Sequence, residues 1–326
     1  MWVAIAVGVV VLLAGAGVGG YFLFLKDKDD GKAAIGDAVQ KFYQAVADGH
    51  ASAALDQLAT KPASTALLTD DVLTASQKAA PISGITTTVD SSTKEEAQVT
   101  VRYTMGGKDV EQTLTVRKTD NVWKVVEGTS TVDLSAVGTG SLPLELNGSP
   151  VDAQTAAVLF PGSYTLTTTT PYVALDHNTF MVTDLGSSKA SPVTATLTDD
   201  GVTAFQTAVQ GSVDACVAAT TIAMDCAWLP MGSTLTDGTE LIDGTVQRTL
   251  APGAQTWLDG LDPTLDADDP ALVSVPQPDI STVGVTVSVH GMLNGQEISG
   301  TIDTVFPFGQ PTVDMSDPDH LTVTWD

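Results

Sequence analysis

Between residues 33 and 58 the apolar side chains recur with a helical period. Ile35, Val39, Phe42 and Val46 fall at i, i+4, i+7 and i+11, one stripe that Asp48-Gly49 should end. Leu55 and Leu58 mark a second short helix stopped near Pro62, and Asp70-Asp71 opens a third that runs towards Pro81. The period then falls to two. Val99, Val101, Tyr103 and Met105 alternate with Thr100, Arg102 and Thr104. Gly106-Gly107 turns the chain, and Val110, Gln112, Leu114 and Val116 return along one face. VWKVVEG, 122–128, predicts a final strand. Helices followed by an antiparallel meander predict an α+β layer of helix on sheet.

GTSTVDLSAVGTGS, 128–141, is small and polar and is expected to be a linker. Beyond it Leu142, Leu144 and Leu146 alternate up to Asn147-Gly148, a hairpin signal, and Pro161-Gly162 turns into YTLTTTTPYV. GSSKASP, 186–192, is a second loose stretch. Phe205, Val209, Val213 and Cys216 then share a helical face. VGVTVSVHGML, 283–293, turns at Asn294-Gly295 into QEISGTIDTVF, and LTVTWD closes the sequence. This order of helix, hairpin and Trp-bearing strand predicts a second module of the first kind.

One segment obeys neither period. Trp2 to Leu25 is an uncharged run that KDKDD follows. At 1.5 Å per residue it reaches about 36 Å, enough for a hydrocarbon core of about 30 Å. With no basic residue before it and FLFLK at its end, an uncleaved single-span anchor is expected over a signal peptide. Gly15, Gly17 and Gly20 spell G-x-G-x-x-G, but inside an apolar run rather than between strand and helix, so no dinucleotide site is expected. Gly15 and Gly19 form a G-x-x-x-G step through which two spans could dimerise. The expected organisation is an anchor at 1–25, a charged stub at 26–32, an α+β domain at 33–130, a small β domain at 131–190 and a second α+β domain at 191–326.

The residues FYQAVADGHASAALDQL, VTVRYTMGGKDVEQTLTVRK and VWKVVEG resemble, in that order, the NTF2-like (cystatin-like) fold across about 33–130. LNGSPV…FPGSYTL is distantly similar to the small β domain of the teicoplanin-resistance-associated membrane protein family. The resemblance implies a Gram-positive envelope protein with a non-catalytic ectodomain. It also implies a cone between helix and sheet, lined by Phe42, Tyr43, Val99, Val101, Tyr103 and Met105.

Charge narrows the partners. The formal net charge is −25, and residues 131–326 hold only Lys189 and Arg248 as basic side chains. Such a surface repels nucleic acid and anionic lipid. Cys216 and Cys226, the only cysteines, lack the C-x-x-C spacing of a zinc or redox site. A disulfide is expected, against two unpaired buried thiols, and it would put this part of the chain in an oxidising compartment.

Catalytic patterns are thin. Ser91-Ser92-Thr93-Lys94 fits S-x-x-K without the companion S-D-N or K-T-G strings. Asp259, Asp262, Asp266, Asp268 and Asp269 lack the EF-hand spacing and are expected to form a solvated loop, with an irregular calcium site as the other reading. No catalytic residue, cofactor or metal is expected. The expected function is that of a membrane-anchored, extracytoplasmic binding or accessory protein whose partner is an envelope protein or wall component. A structural stalk, or an isomerase or hydrolase using the cone, is the alternative.

Overall fold

The computed structural model describes residues 30–224, 226 and 231–326. The expected anchor at Trp2–Leu25, its Gly15/Gly19 step and the first residues of the stub lie outside the described residues. Among the described residues no helix is long and apolar enough to cross a membrane.

The expectation of an α+β chain is corrected over the described residues. Among the described residues strand occupies 41% and helix 20%, so this part of the protein is predominantly β-sheet. The physical reason lies after residue 128, where many strands of two to four residues carry too few side chains to show an alternation.

The first stretch holds α1 (Asp30–Ala47), α2 (Ala51–Asp56) and α3 (Asp70–Ala79), then β1 (Ile82–Ser92), β2 (Glu96–Met105), β3 (Lys108–Thr119) and β4 (Val122–Val125). The strands form one antiparallel sheet in sequence order. Ile35, Val39, Phe42 and Val46 of α1 are buried against Val99, Val101, Leu114 and Val116 of the sheet. Gly49 ends α1 at φ 75°, a left-handed position that suits glycine. The Asp70 carboxylate accepts the Ala51 N–H at 2.7 Å, and Thr69 caps α3 by accepting from Val72 N–H at 3.3 Å. β1 is a strand that the apolar pattern leaves hidden, because its residues past Ile82 are exposed or half-buried.

The middle stretch comprises β5 (Ser130–Asp133), β6 (Leu144–Leu146), β7 (Ser149–Val151), β8 (Ala156–Leu159), β9 (Gly162–Thr168), β10 (Val173–Asp176), β11 (Thr179–Val182), β12 (Gly186–Lys189) and β13 (Thr194–Leu197). They make three small sheets: β11-β9-β6-β7, β12-β5-β8 and the pair β10-β13. Both expected linkers therefore contain strand, since Ser130–Asp133 pairs in parallel with Gly186–Lys189. Neither is a spacer, because each supplies the other with main-chain partners.

This stretch is fused to the first. The Ser163 N–H donates to the Ser76 hydroxyl at 2.9 Å, with both residues buried. The Asn147 amide donates to the carbonyls of Val72 and Ser163 and accepts from Thr165 N–H. Gly162 is what permits this approach, because a Cβ there would lie 2.0 Å from the Ser76 oxygen.

The last stretch runs α4 (Asp199–Ala218), β14 (Glu240–Leu241), β15 (Gln247–Leu250), α5 (Ala254–Asp259), β16 (Thr264–Leu265), β17 (Leu272–Ser274), β18 (Gly284–Leu293), β19 (Gln296–Pro307), β20 (Pro311–Asp314) and β21 (Thr322–Trp325). It does not repeat the first module. β14 and β15 both pair one edge of β18 and β19 pairs the other, while β16-β17-β20-β21 form a second sheet. The expected final strand, β21, thus joins a different sheet from the expected hairpin, β18-β19. Phe205, Val209, Val213 and Cys216 of α4 face the core that these sheets share.

Cys216 and Cys226 form a disulfide, with their α-carbons 6.2 Å apart. The segment it closes is also gripped by Arg248, which donates to the carbonyls of Ala219, Thr221 and Ala223.

Two measurements check these constraints. Replacing both cysteines by serine should lower stability by about 2–3 kcal/mol, read from the urea midpoint; an unchanged midpoint would contradict a closed ring in the native protein. Gly162→Ala should destabilise by about 1–3 kcal/mol through the collision with Ser76, and Ser76→Gly in the same chain should recover part of that loss.

Candidate binding site

The hairpin β2-β3 leaves part of one strand without a partner. β4 pairs only Val116–Thr119 of β3, so the stretch from Lys108 to Leu114 has β2 on one side alone. The direction of its main chain follows from two bonds. Lys118 N–H donates to the Glu95 carbonyl on the β2 side, and Val126 N–H donates to the Thr115 carbonyl on the other. Main-chain groups alternate sides along a strand, so even-numbered residues bond to β2 and odd-numbered ones point outward. Asp109, Glu111 and Thr113 therefore aim their N–H and C=O groups away from the sheet, and among the described residues no main-chain bond takes them.

A cleft of about 520 Å³ lies along this edge. Its lining includes the consecutive residues Glu111, Gln112, Thr113, Leu114 and Thr115. Neighbours in a strand point to opposite faces, so a hollow touching five in a row runs beside the edge rather than over one face. Glu127 follows β4 on one side, and Asp184 and Leu185 from the turn after β11 form the facing wall. Leu185 is held there by packing on the first core, together with Met181. A second hollow of about 360 Å³ lies across the sheet nearby, bordered by Gly84 of β1, Tyr103 of β2, and Asp109 and Glu111 of β3.

Beneath the edge is a buried polar cluster. The Tyr43 hydroxyl donates to Gln112 Oε1 at 2.7 Å. Gln112 Nε2 is buried without a partner, and so is the Tyr103 hydroxyl, although the Tyr43 and Tyr103 rings lie 4.8 Å apart between centroids. Burial raises the Tyr43 hydroxyl well above its ordinary range, and the neighbouring Tyr103 adds to the shift. Burial pushes Tyr103 up to about 12, with Tyr43 opposing the shift and the Asp184 carboxylate adding to it. Both hydroxyls thus keep their protons at neutral pH and act as donors rather than bases.

The charge of the cleft is unevenly spent. Glu111 pairs with Arg102 at 2.8 Å and Glu96 with Arg117 at 3.1 Å, both exposed pairs of small energetic worth. Glu127 and Asp184 have no ion pair among the described residues.

The residues expected to line a cone are placed differently from one another. Phe42, Tyr43, Val99, Val101 and Met105 are packed at 0% exposure as core, and Tyr103, at 3%, borders the second hollow. Gln112, Glu127 and Asp184 were not singled out as site residues by sequence reasoning. The available signal was Gln112, a polar residue in the otherwise apolar row Val110, Leu114 and Val116.

Other chemistry-bearing residues lie apart. Asp266 accepts main-chain N–H groups from Asp268 and Asp269, and Asp269 accepts from Ser141 and Ala271, so this acidic loop is folded on itself. Among the described residues no group of three or more His, Cys, Asp or Glu could hold a metal. Ser91 and Ser92 end β1, and Thr93 caps the following turn by accepting from Glu96 N–H.

No family model matches the chain, and no curated protein matches it.

The tyrosine shifts fix a pH dependence. The folded-state values lie above the ordinary value of 10, so at alkaline pH the folded protein holds protons that the unfolded chain has lost. Their contribution is complete below about pH 10 and falls as pH rises towards 12. Tyr103→Phe should therefore shift alkaline unfolding, followed by tryptophan fluorescence, to higher pH. At neutral pH it should be neutral or stabilising, whereas Tyr43→Phe removes the partner of buried Gln112 and should cost about 1–2 kcal/mol.

Proposed function

We propose that the protein is an extracytoplasmic binding or accessory protein of a bacterial cell envelope, acting through the cleft beside β3. The observation that carries the binding role is the open strand edge set over buried, unpartnered donors. Such groups gain from a bound partner what water or a neighbouring strand would otherwise give.

The disulfide supports an oxidising compartment, because such bonds persist outside the reducing cytoplasm. The likeness of the first stretch to NTF2-like ectodomains, and distantly to the teicoplanin-resistance-associated family, belongs to the same proposal. It fits three helices packed on a four-stranded antiparallel sheet. The rival reading, an isomerase or hydrolase, would use an open cone under that sheet. It gains nothing from Phe42, Tyr43, Val99, Val101 and Met105, which fill that space.

A photocrosslinking side chain placed at Glu127 tests the reading in intact cells, with the same group at exposed Asp200 on α4 as the distant control. A discrete adduct from position 127, absent from 200, is expected. No adduct, or the same products from both positions, would remove the cleft as the site of action.

A further inference from the structure

We infer that the free edge of β3 takes an extended, basic segment of a partner protein as an added β-strand. This rests on the binding reading above and specifies its ligand and its geometry.

Three features converge on such a ligand. First, the outward main chain of Asp109, Glu111 and Thr113 offers alternating N–H and C=O groups over about 13 Å at 3.3 Å per residue, a length that five residues of an extended chain match. A glycan or a compact ligand cannot repeat that spacing. Second, the added strand would lie between β3 and the wall formed by Asp184 and Leu185, so alternate side chains would enter the cleft. There they meet Leu185 and the half-buried side chain of Gln112. Third, the carboxylates of Glu127 and Asp184 are unneutralised, whereas Glu96 and Glu111 already have arginine partners. The side chains best placed there are lysine or arginine.

Charge also decides against a second copy of the same chain. Each copy carries a net charge of −25, and the cleft itself is acidic, so two copies would bring like charges together on this edge. β1, at the far side of the sheet, has α1 packed against it.

The test uses the intact chain and a fluorescent octapeptide of alternating lysine and valine, capped at both ends, with binding followed by anisotropy. Two further versions carry N-methyl groups on every lysine amide or on every valine amide. In an added strand one set of amides bonds to β3 and the other points away from it. One N-methylated peptide should therefore lose affinity about tenfold or more while the other keeps it. Thr113→Pro, which removes an outward N–H that bonds to nothing in β2, should weaken the unmodified peptide by a similar factor, about tenfold. Glu127→Lys with Asp184→Lys should do the same and flatten the salt dependence, and a glutamate–valine peptide should not bind.

Equal binding of both N-methylated peptides would reduce the interaction to charge attraction and overturn strand addition, whether or not Thr113→Pro folds. Failure of the lysine–valine peptide to bind, with the Glu127 crosslink still formed, would overturn strand addition and leave the binding role standing. Loss of the crosslink as well would remove both.

Discussion

The contact between Ser163 and Ser76 is the constraint on which the candidate site depends. The first sheet ends in an open edge, and an edge alone is only a hazard for aggregation. It becomes a cleft because the turn at Asp184–Leu185 is held against it. That turn follows β11, which pairs with β9, and β9 begins at the residue pair Gly162–Ser163 that is docked on α3. The absence of a side chain at Gly162, the buried hydroxyl of Ser76 and the amide of Asn147 therefore set the width of a site several residues away. Tyr164 reinforces the same junction, donating to the Phe160 carbonyl at 2.8 Å while its ring lies 5.9 Å from that of Phe180.

A chain this acidic also has to hold its loops together with little help from cations. After residue 130 only Lys189 and Arg248 are basic. Lys189 is exposed, 3.9 Å from Asp133. Arg248 is 6% exposed and serves the segment between α4 and the disulfide. Its fixed fork of donors suits several carbonyls at once in a way a lysine could not match. Elsewhere the aspartates do the organising. Asp133, Asp152, Asp237, Asp266, Asp279, Asp314 and Asp317 each accept an N–H two residues ahead. The acidic composition is thus partly a turn-forming device, which is why the density of carboxylates by itself does not point to a metal. It also guards exposed strand: β19, which among the described residues pairs with β18 alone, carries Glu297 and Asp303.

The sequence was legible where one face of an element is buried and the partner is close. The stripe of α1, the stripe of α4, the leucines before Asn147 and the turns at Asn147-Gly148 and Asn294-Gly295 all lie where the apolar pattern put them, with positive φ at both residues of each turn. It was illegible where pairing is remote. Ser130–Asp133 and Gly186–Lys189 are small and polar, with no apolar row to betray a strand; the second pairs with the first 56 residues away, and the first also pairs with Ala156–Leu159. The repeat expected in the last stretch failed for a related reason. The helix and the hairpin were read correctly, but the short strands β16, β17 and β20 that claim the terminal strand have at most four residues each. The candidate site divides along the same line. Gln112 stands out in its own row, whereas Asp184 and Leu185 gain their meaning from a fold contact that no local pattern carries.

Buried donors without partners do not by themselves mark a ligand. Gln77 Nε2, Thr139 Oγ1 and Thr239 Oγ1 are also unpartnered, and none of the three borders either hollow beside β3. Leaving such a group unmet costs about 1–3 kcal/mol, and a fold can carry a few of them. What separates Gln112 and Tyr103 is their company. Both lie by a strand whose outward main chain is also unmet, and Gln112 lines the cleft that Glu127, Asp184 and Leu185 wall, while Tyr103 borders the neighbouring hollow. The outward main chain and the two carboxylates are the deficits that a basic, extended backbone would correct. The Tyr43 hydroxyl shows the direction in which the cluster is set: it has spent its proton on Gln112 Oε1, which turns the amide so that Nε2 is the end left to donate.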